Sequence, residues 1–126
     1  MTMKEKIITC IHIPVKGRCT GMCFRYEDFN RLACKAIGCE TYDFPCTAGN
    51  DKFHLLVDDE GLLYRKPYNR IASALYSPTG TGYIAGDALL CAVGTNDDGE
   101  PDIAAIPFET AEFLLALLNS IHNEED

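Results

Sequence analysis

Hydrophobic and polar positions recur with different periods along the chain, and each period predicts a different element. A β-branched run at residues 7–14 predicts a first strand, and turn residues follow at 14–21. From Glu27 onward the apolar positions fall at helical spacing, and Gly38 is a natural end for that helix. The apolar positions of the predicted helix are Phe29, Leu32, Ala33, Ala36 and Ile37.

Strand and turn signals dominate the middle of the chain. Apolar side chains alternate at residues 40–45, which predicts a second strand, and the loop CTAGND follows. The run FHLLV at 53–57 predicts a buried strand, and the acidic turn DDEG with the apolar residues 62–64 predicts its hairpin partner. Asn69 is suited to cap a short helix over residues 70–76.

The last third of the chain predicts two more strands and a long amphipathic helix. Residues 83–93 predict a strand bent at Gly86, and residues 103–106 predict a short final strand after a polar turn. Together the elements predict a single α+β domain over residues 1–126, with a mostly antiparallel sheet, two longer helices and one short helix. The helix predicted at 109–121 carries an apolar stripe of Phe113, Leu114, Leu117, Leu118 and Ile121.

Charge is unevenly distributed along the 126 residues. The chain carries 11 Lys and Arg against 19 Asp and Glu, a net charge of −8. All 11 basic residues lie within residues 1–70, whereas residues 71–126 hold ten acidic residues and no lysine or arginine. We therefore do not expect direct binding to nucleic acid or to an anionic membrane. No apolar run approaches the roughly 20 residues of a membrane span, and no signal peptide is evident, so a cytoplasmic location is expected.

Cysteine spacing bears on the question of a metal site. The spacings Cys19-x3-Cys23 and Cys34-x4-Cys39 differ from the C-x2-C knuckle that structural zinc sites usually contain. Free thiols that act as small buried hydrophobic residues are therefore favoured over zinc or a disulfide framework, and we expect neither a metal ion nor a cofactor. The seven cysteines are Cys10, Cys19, Cys23, Cys34, Cys39, Cys46 and Cys91.

Candidate catalytic groups are sparse. His12 and His54 fall in predicted strands, and no nucleophile signature accompanies either of them. Asp87 is unusual because it lies within a predicted strand, where aspartate is depleted. A structural carboxylate, paired with an arginine such as Arg70, is favoured over a catalytic acid or base. We therefore expect a protein that is not an enzyme.

The segment YRKPYNRIASALY, residues 64–76, holds the last three basic residues of the chain among three tyrosines. Arginine presents a planar fork to phosphate, and tyrosine offers a face on which a base stacks. Lys66 follows a predicted strand and is expected to face solvent. The loop TGTG at 79–82 does not open a helix, so it is no dinucleotide signature, but it is placed to close over a ligand. The candidate ligand-binding residues are Arg65, Tyr68, Asn69, Arg70, Tyr83 and Asp87.

Residues 53–94 contain three short motifs: Asp59-Glu60-Gly61, Asn69-Arg70 and Gly86-Asp87-Ala88-Leu89. This set of motifs resembles a family of small proteins of unknown function from phages and mobile elements of gut Firmicutes. The resemblance implies a genomic context and not a reaction. Small accessory proteins in that context often counter bacterial defence, either by binding a nuclease effector or by sequestering a nucleotide signal.

Two hypotheses for function follow, and a structural accessory role is the third alternative. The first is a non-enzymatic counter-defence protein that binds and sequesters a small nucleotide-like anion in the cytoplasm of a bacterial host. A homo-oligomer is among the expected states of this protein. The alternative is an acidic inhibitor that binds a host defence protein, a CRISPR or restriction effector, in its basic channel. The basic and aromatic segment favours the first, and the charge asymmetry favours the second. The acidic residues that the alternative uses are Asp97, Asp98, Glu100 and Asp102.

Overall fold

The computed structural model describes residues 6–39, 42–43, 47–48, 53–58, 66–76, 84–95 and 98–123. Within these ranges the chain forms seven strands and three helices. A short 3-10 turn at Tyr26–Asp28 leads into the first helix. The strands are β1 (Ile7–Ile13), β2 (Thr20–Arg25), β3 (Tyr42–Asp43), β4 (Thr47–Ala48), β5 (Phe53–Asp58), β6 (Ala88–Thr95) and β7 (Pro101–Ala104), and the helices are α1 (Phe29–Ile37), α2 (Arg70–Tyr76) and α3 (Phe108–Asn123).

All strand pairs of the sheet are antiparallel. The main path runs β2-β1-β6-β5-β3, while β4 also pairs with β5 and β7 with β6. Strand β6 is central because its first half pairs with β1, its second half with β7, and its other edge with β5. The predicted α+β class, the antiparallel sheet and the set of two longer helices and one short helix are confirmed.

Both faces of the sheet are covered by helices. Along β1, Ile11 and Ile13 point to one face while Ile8 and Cys10 point to the other, as the period-two geometry of a strand requires. Helices α2 and α3 pack on the first face, and α1 packs on the second. The core therefore lies in two layers on either side of the sheet, and each fully buried aliphatic side chain contributes about 1.5–3 kcal/mol to folding.

The helix ends follow the sequence prediction, whereas the exposure of α3 does not. Helix α1 stops at Gly38, whose φ of 80° is left-handed and whose N–H donates to the carbonyl oxygen of Cys34 at 2.8 Å. On α3, Leu118 is buried as predicted, but Phe113 and Leu117 are 66% and 47% exposed. These two members of the predicted apolar stripe therefore lie outside the core, because the helix packs on the sheet through the flank that contains Ala111 and Leu118. None of the described helices is long and apolar enough to cross a membrane.

Several strand predictions need correction. The turn predicted up to Gly21 ends earlier, because Thr20 already opens β2, a strand that the sequence did not predict. The predicted loop at 46–51 contains the two-residue strand β4. The central strand begins at Ala88, so Asp87 precedes β6 and does not lie inside a strand. The predicted final strand lies at Pro101–Ala104. The hairpin partner at 62–64 and the loop at 79–82 lie outside the described residues.

Candidate functional site

Residues 66–70 cross the end of the sheet at which β1 finishes and β6 begins. The N–H of Gly86 donates to the carbonyl oxygen of Pro67 at 2.7 Å, and the N–H of Asn69 donates to that of Ile84 at 2.9 Å. Tyr68 and Ala85 form an antiparallel bridge between these two bonds. The segment that the sequence selected as a ligand site is thus fixed to the chain immediately before β6 by a short two-stranded ribbon.

Asn69 is the anchor of this segment. Its side chain is 1% exposed, and its amide nitrogen donates to the carbonyl oxygens of Ile13 at 2.9 Å and Gly86 at 3.0 Å. Its amide oxygen accepts from the N–H of Ala72 at 3.0 Å, which caps α2 as predicted. Both amide hydrogens are used inside the protein, so a ligand contact from Asn69 would have to displace one of these bonds.

Ser73 reinforces the same junction and was not identified from the sequence. Its hydroxyl oxygen accepts from the N–H of Ile84 at 2.8 Å and lies 3.3 Å from the carbonyl oxygen of that residue, to which it donates. Serine within a helix often bonds to nearby backbone, but here the bond reaches across eleven positions. The first turn of α2 is therefore held against the strand-like segment at Ile84.

Lys66 does not face solvent, and that prediction was wrong. Its ammonium nitrogen lies 2.6 Å from Oδ2 of Asp58 and donates to the carbonyl oxygen of Gly38 at 2.7 Å. The stem of Lys66 reaches these partners by passing over Gly86, where a Cβ atom would lie 2.8 Å from Cδ of the lysine. Gly86 has a φ of 89°, so glycine is favoured there both by the backbone and by the space.

The sequence suggested Arg70 as the partner of Asp87, but the carboxylate of Asp87 instead contacts His12 and Val15. Its Oδ2 lies 3.0 Å from Nε2 of His12, and its Oδ1 accepts from the N–H of Val15 at 2.9 Å. Both side chains are partly buried. A carboxylate bound to one ring nitrogen favours the tautomer with the proton on that nitrogen and fixes the orientation of the ring. The pair thus holds the loop after β1 against the start of β6.

Tyr68 and Arg70 are the described candidates that remain accessible. They flank the buried Asn69; the Tyr68 side chain is 55% exposed, and Arg70 is exposed as the first residue of α2. Arg65 and Tyr83 lie outside the described residues. The structure therefore gives Asn69 and Asp87 buried or partly buried partners, whereas Tyr68 and Arg70, on either side of Asn69, are exposed residues.

Three of the described cysteines, Cys19, Cys39 and Cys91, have a raised pKa, which lowers the reactivity of their thiols. Burial, followed by a hydrogen bond with Cys34, raises the pKa of Cys39 to about 12. A hydrogen bond with Cys10 and burial likewise raise the pKa of Cys91, and burial raises that of Cys19. The thiolate is the reactive form of cysteine, so these thiols are poor nucleophiles at neutral pH. Cys46 lies outside the described residues, and the described cysteines are free thiols.

No metal cluster forms within the described ranges: no group of three or more His, Cys, Asp or Glu side chains is arranged there to hold an ion. The acidic turn between β6 and β7 lies at the surface, with Asp98 and Glu100 exposed. Asp102 accepts a hydrogen bond from the hydroxyl of Tyr26, and this bond is the main reason that the pKa of Tyr26 is raised. Asp97 lies outside the described residues.

Sequence comparison gives a family but no activity. A family described as a domain of unknown function (DUF3846) matches residues 25–111, a range that contains α1, β3 to β7, α2 and the start of α3 in addition to the candidate site. No curated protein and no solved structure matches the chain. Because the match covers most of its length, the chain belongs to the DUF3846 family of domains of unknown function.

Proposed function

We propose that the protein is a non-enzymatic binding protein that captures a small nucleotide-like anion on Tyr68 and Arg70. One observation carries the proposal: these two side chains are exposed on either side of Asn69, whose buried hydrogen bonds hold their backbone in place. A rigid backbone reduces the entropy lost on binding. Tyrosine stacks on a base and arginine binds phosphate in a bidentate manner, so the two groups together match one nucleotide.

The charge distribution supports a small anion over a long nucleic acid. Arg70 is the last lysine or arginine of the chain, and the residues that follow it include ten acidic residues and no lysine or arginine. An extended phosphate backbone would meet repulsion beyond the site, whereas a single nucleotide would not. The resemblance to phage and mobile-element proteins of gut Firmicutes supports sequestration of a nucleotide signal as counter-defence, in the cytoplasm of the bacterial host.

Calorimetry with a panel of cyclic dinucleotides, cyclic trinucleotides and cyclic ADP-ribose isomers tests the proposal. We expect one class to bind, and Arg70→Ala to weaken it by about 1.5–3 kcal/mol, the range for a hydrogen bond to a charged group. Tyr68→Ala should cost about 1–3 kcal/mol of stacking, whereas Tyr68→Phe keeps the ring and should bind normally. Arg31→Ala, an exposed arginine on α1, is the matched control.

Two results would overturn this function. If a ligand binds with the same affinity to folded Tyr68→Ala and Arg70→Ala variants, its site lies elsewhere. If no member of the panel binds, the inhibitor of a basic defence protein becomes the better explanation. The exposed acids Asp98 and Glu100 on the turn before β7 favour that second candidate, and pull-down of a CRISPR or restriction effector, lost on charge reversal of both residues, would support it.

A further inference from the structure

An apolar stripe on α3 faces away from the core. Phe113 and Leu117, one turn apart, are both exposed, and so are Ala116 and Ser120 beside them. Exposure of two large side chains on one helix face is unusual for an isolated surface helix, whose solvent side is normally polar. The stripe is therefore suited to packing against another helix.

A basic loop lies beside the C-terminal half of the same helix. The N–H of Cys19 donates to Oδ1 of Asn119 at 2.8 Å, and Nδ2 of Asn119 donates to the carbonyl oxygen of Cys19 at 3.1 Å. This pair of bonds fixes the loop between β1 and β2 against α3. Lys16 and Arg18 lie in that loop and are exposed.

Acidic residues occupy the same flank of α3 nearer its N-terminus. Glu112 precedes Asn119 by seven residues, so the two lie on one side of the helix, separated by about 10 Å along its axis. Glu109 is a further turn toward the N-terminus, and both glutamates are exposed. Acidic residues thus lie near the N-terminal end of the apolar stripe, and the basic loop lies against the helix near its C-terminal end.

We propose that this surface is a homodimer interface in which α3 packs antiparallel against α3 of a second copy. A two-fold axis across the helices superposes the stripes of Phe113 and Leu117. The same axis brings the acidic end of each copy, Glu109 and Glu112, to the basic loop of the other. The two-fold symmetry therefore forms this contact between acidic and basic residues twice, once at each end of the interface.

The order of charges selects a second copy, and the antiparallel arrangement, over other occupants. A parallel arrangement places the glutamates of both copies side by side and leaves the basic loops unmatched, whereas the antiparallel one places Glu109 and Glu112 of each copy opposite the basic loop of the other and also opposes the helix dipoles. Residues 71–126 contain no lysine or arginine, so the loop between β1 and β2 is what makes the surface self-complementary. An unrelated partner would not require acids and bases at opposite ends of the stripe.

Sedimentation velocity at increasing protein concentration tests the interface. We expect a monomer–dimer equilibrium, and Phe113→Asp or Leu117→Asp should raise the dissociation constant about 30-fold or more, as expected for a central apolar contact. Tyr68→Asp, which changes a comparably exposed aromatic residue outside α3, is the control and should dimerise normally. A wild-type protein that stays monomeric throughout would overturn the proposal.

A charge-swap experiment keeps the proposal testable if an apolar variant misfolds. The variant with Glu109→Lys and Glu112→Lys, and the variant with Lys16→Glu and Arg18→Glu, should each dimerise weakly because like charges meet at both ends. An equimolar mixture should form a heterodimer, since every contact in it joins opposite charges. Equal association of the two variants alone and in mixture would rule out the antiparallel contact.

Discussion

The ammonium nitrogen of Lys66 lies 2.6 Å from Oδ2 of Asp58 and also donates to the carbonyl oxygen of Gly38. The side chain of Asp58 is 5% exposed and that of Lys66 is 22% exposed, so the pair is largely removed from water. One lysine thereby joins the end of β5, the end of α1 and the segment that leads to α2. The proposed ligand site depends on this junction for its position.

Lys66→Met should lower the free energy of unfolding by about 2–3 kcal/mol, because it leaves the buried carboxylate of Asp58 without its cation. The partial exposure of Lys66 keeps the loss below that of a fully buried pair. Urea unfolding measures the change, and Lys35→Met on the exposed side of α1 should stay within about 0.5 kcal/mol of wild type. In combination with Asp58→Asn the cost should shrink by at least about 1 kcal/mol. Strict additivity would show that the two side chains are not coupled.

Gly86→Ala should destabilise the protein more than Gly99→Ala. Both glycines have a positive φ, 89° and 81°, so each alanine meets backbone strain of about 1–2 kcal/mol. At Gly99 no atom lies within 4 Å of the added Cβ, whereas at Gly86 the Cβ meets the stem of Lys66 at 2.8 Å. We expect an extra loss of about 1–3 kcal/mol from this overpacking. In a Lys66→Ala background the two alanine substitutions should cost the same, and thermal unfolding measures the difference.

Asn69→Asp separates the capping role of Asn69 from its role as a clamp. Aspartate caps helices as well as asparagine does, so a residue that only caps would tolerate the change. Here the carboxylate would face the carbonyl oxygens of Ile13 and Gly86, which now accept from the amide. We expect a loss of about 2–4 kcal/mol in urea unfolding, since buried acceptors are left without donors. Asn30→Asp at the exposed start of α1 should be nearly neutral, and a tolerated Asn69→Asp would contradict the clamp.

Local patterns predicted those elements whose side chains are strongly divided between core and solvent. The helical spacing of α1, the glycine that ends it and the cap at Asn69 all depend on neighbours within a few residues, and each is confirmed. Strand β2 was missed because none of its side chains is fully buried and Gly21 interrupts the run, so its position comes from pairing with β1.

The parts of the site that were missed are long-range contacts. His12 and Asp87 are 75 residues apart, and Lys66 reaches Gly38 across 28 residues, so no local spacing reports either contact. Sequence alone identified Gly86 as a bend, but it did not show that the missing side chain makes room for Lys66. The sequence proposed Tyr68 and Arg70 as ligand-binding residues, and the structure shows both of them exposed on either side of Asn69, the predicted helix cap.

The unfolding free energy should fall between about pH 7.5 and about pH 5.5 because of His54, whose unfolded pKa is about 6.5. Burial lowers the pKa of His54 in β5, where it lies opposite Cys91 in register. As the pH falls, His54 therefore takes up a proton more readily in the unfolded chain than in the folded chain. Its contribution to the unfolding free energy is fully present above the unfolded pKa and is lost as the pH falls through that pKa. Over this range Asp28 stays ionised, because its hydrogen bond from Arg25 lowers its pKa.

Urea unfolding of wild type and His54→Gln at the two pH values isolates this contribution. We expect the variant to lose less stability on acidification than the wild type, since glutamine does not titrate. Near pH 8 the side chain of His54 is neutral in both the folded and the unfolded chain, so it should contribute no pH dependence there. An equal acid-induced loss in the two proteins would mean that His54 protonates as readily in the folded chain as in the unfolded chain, and that its burial in β5 exerts no effect on stability.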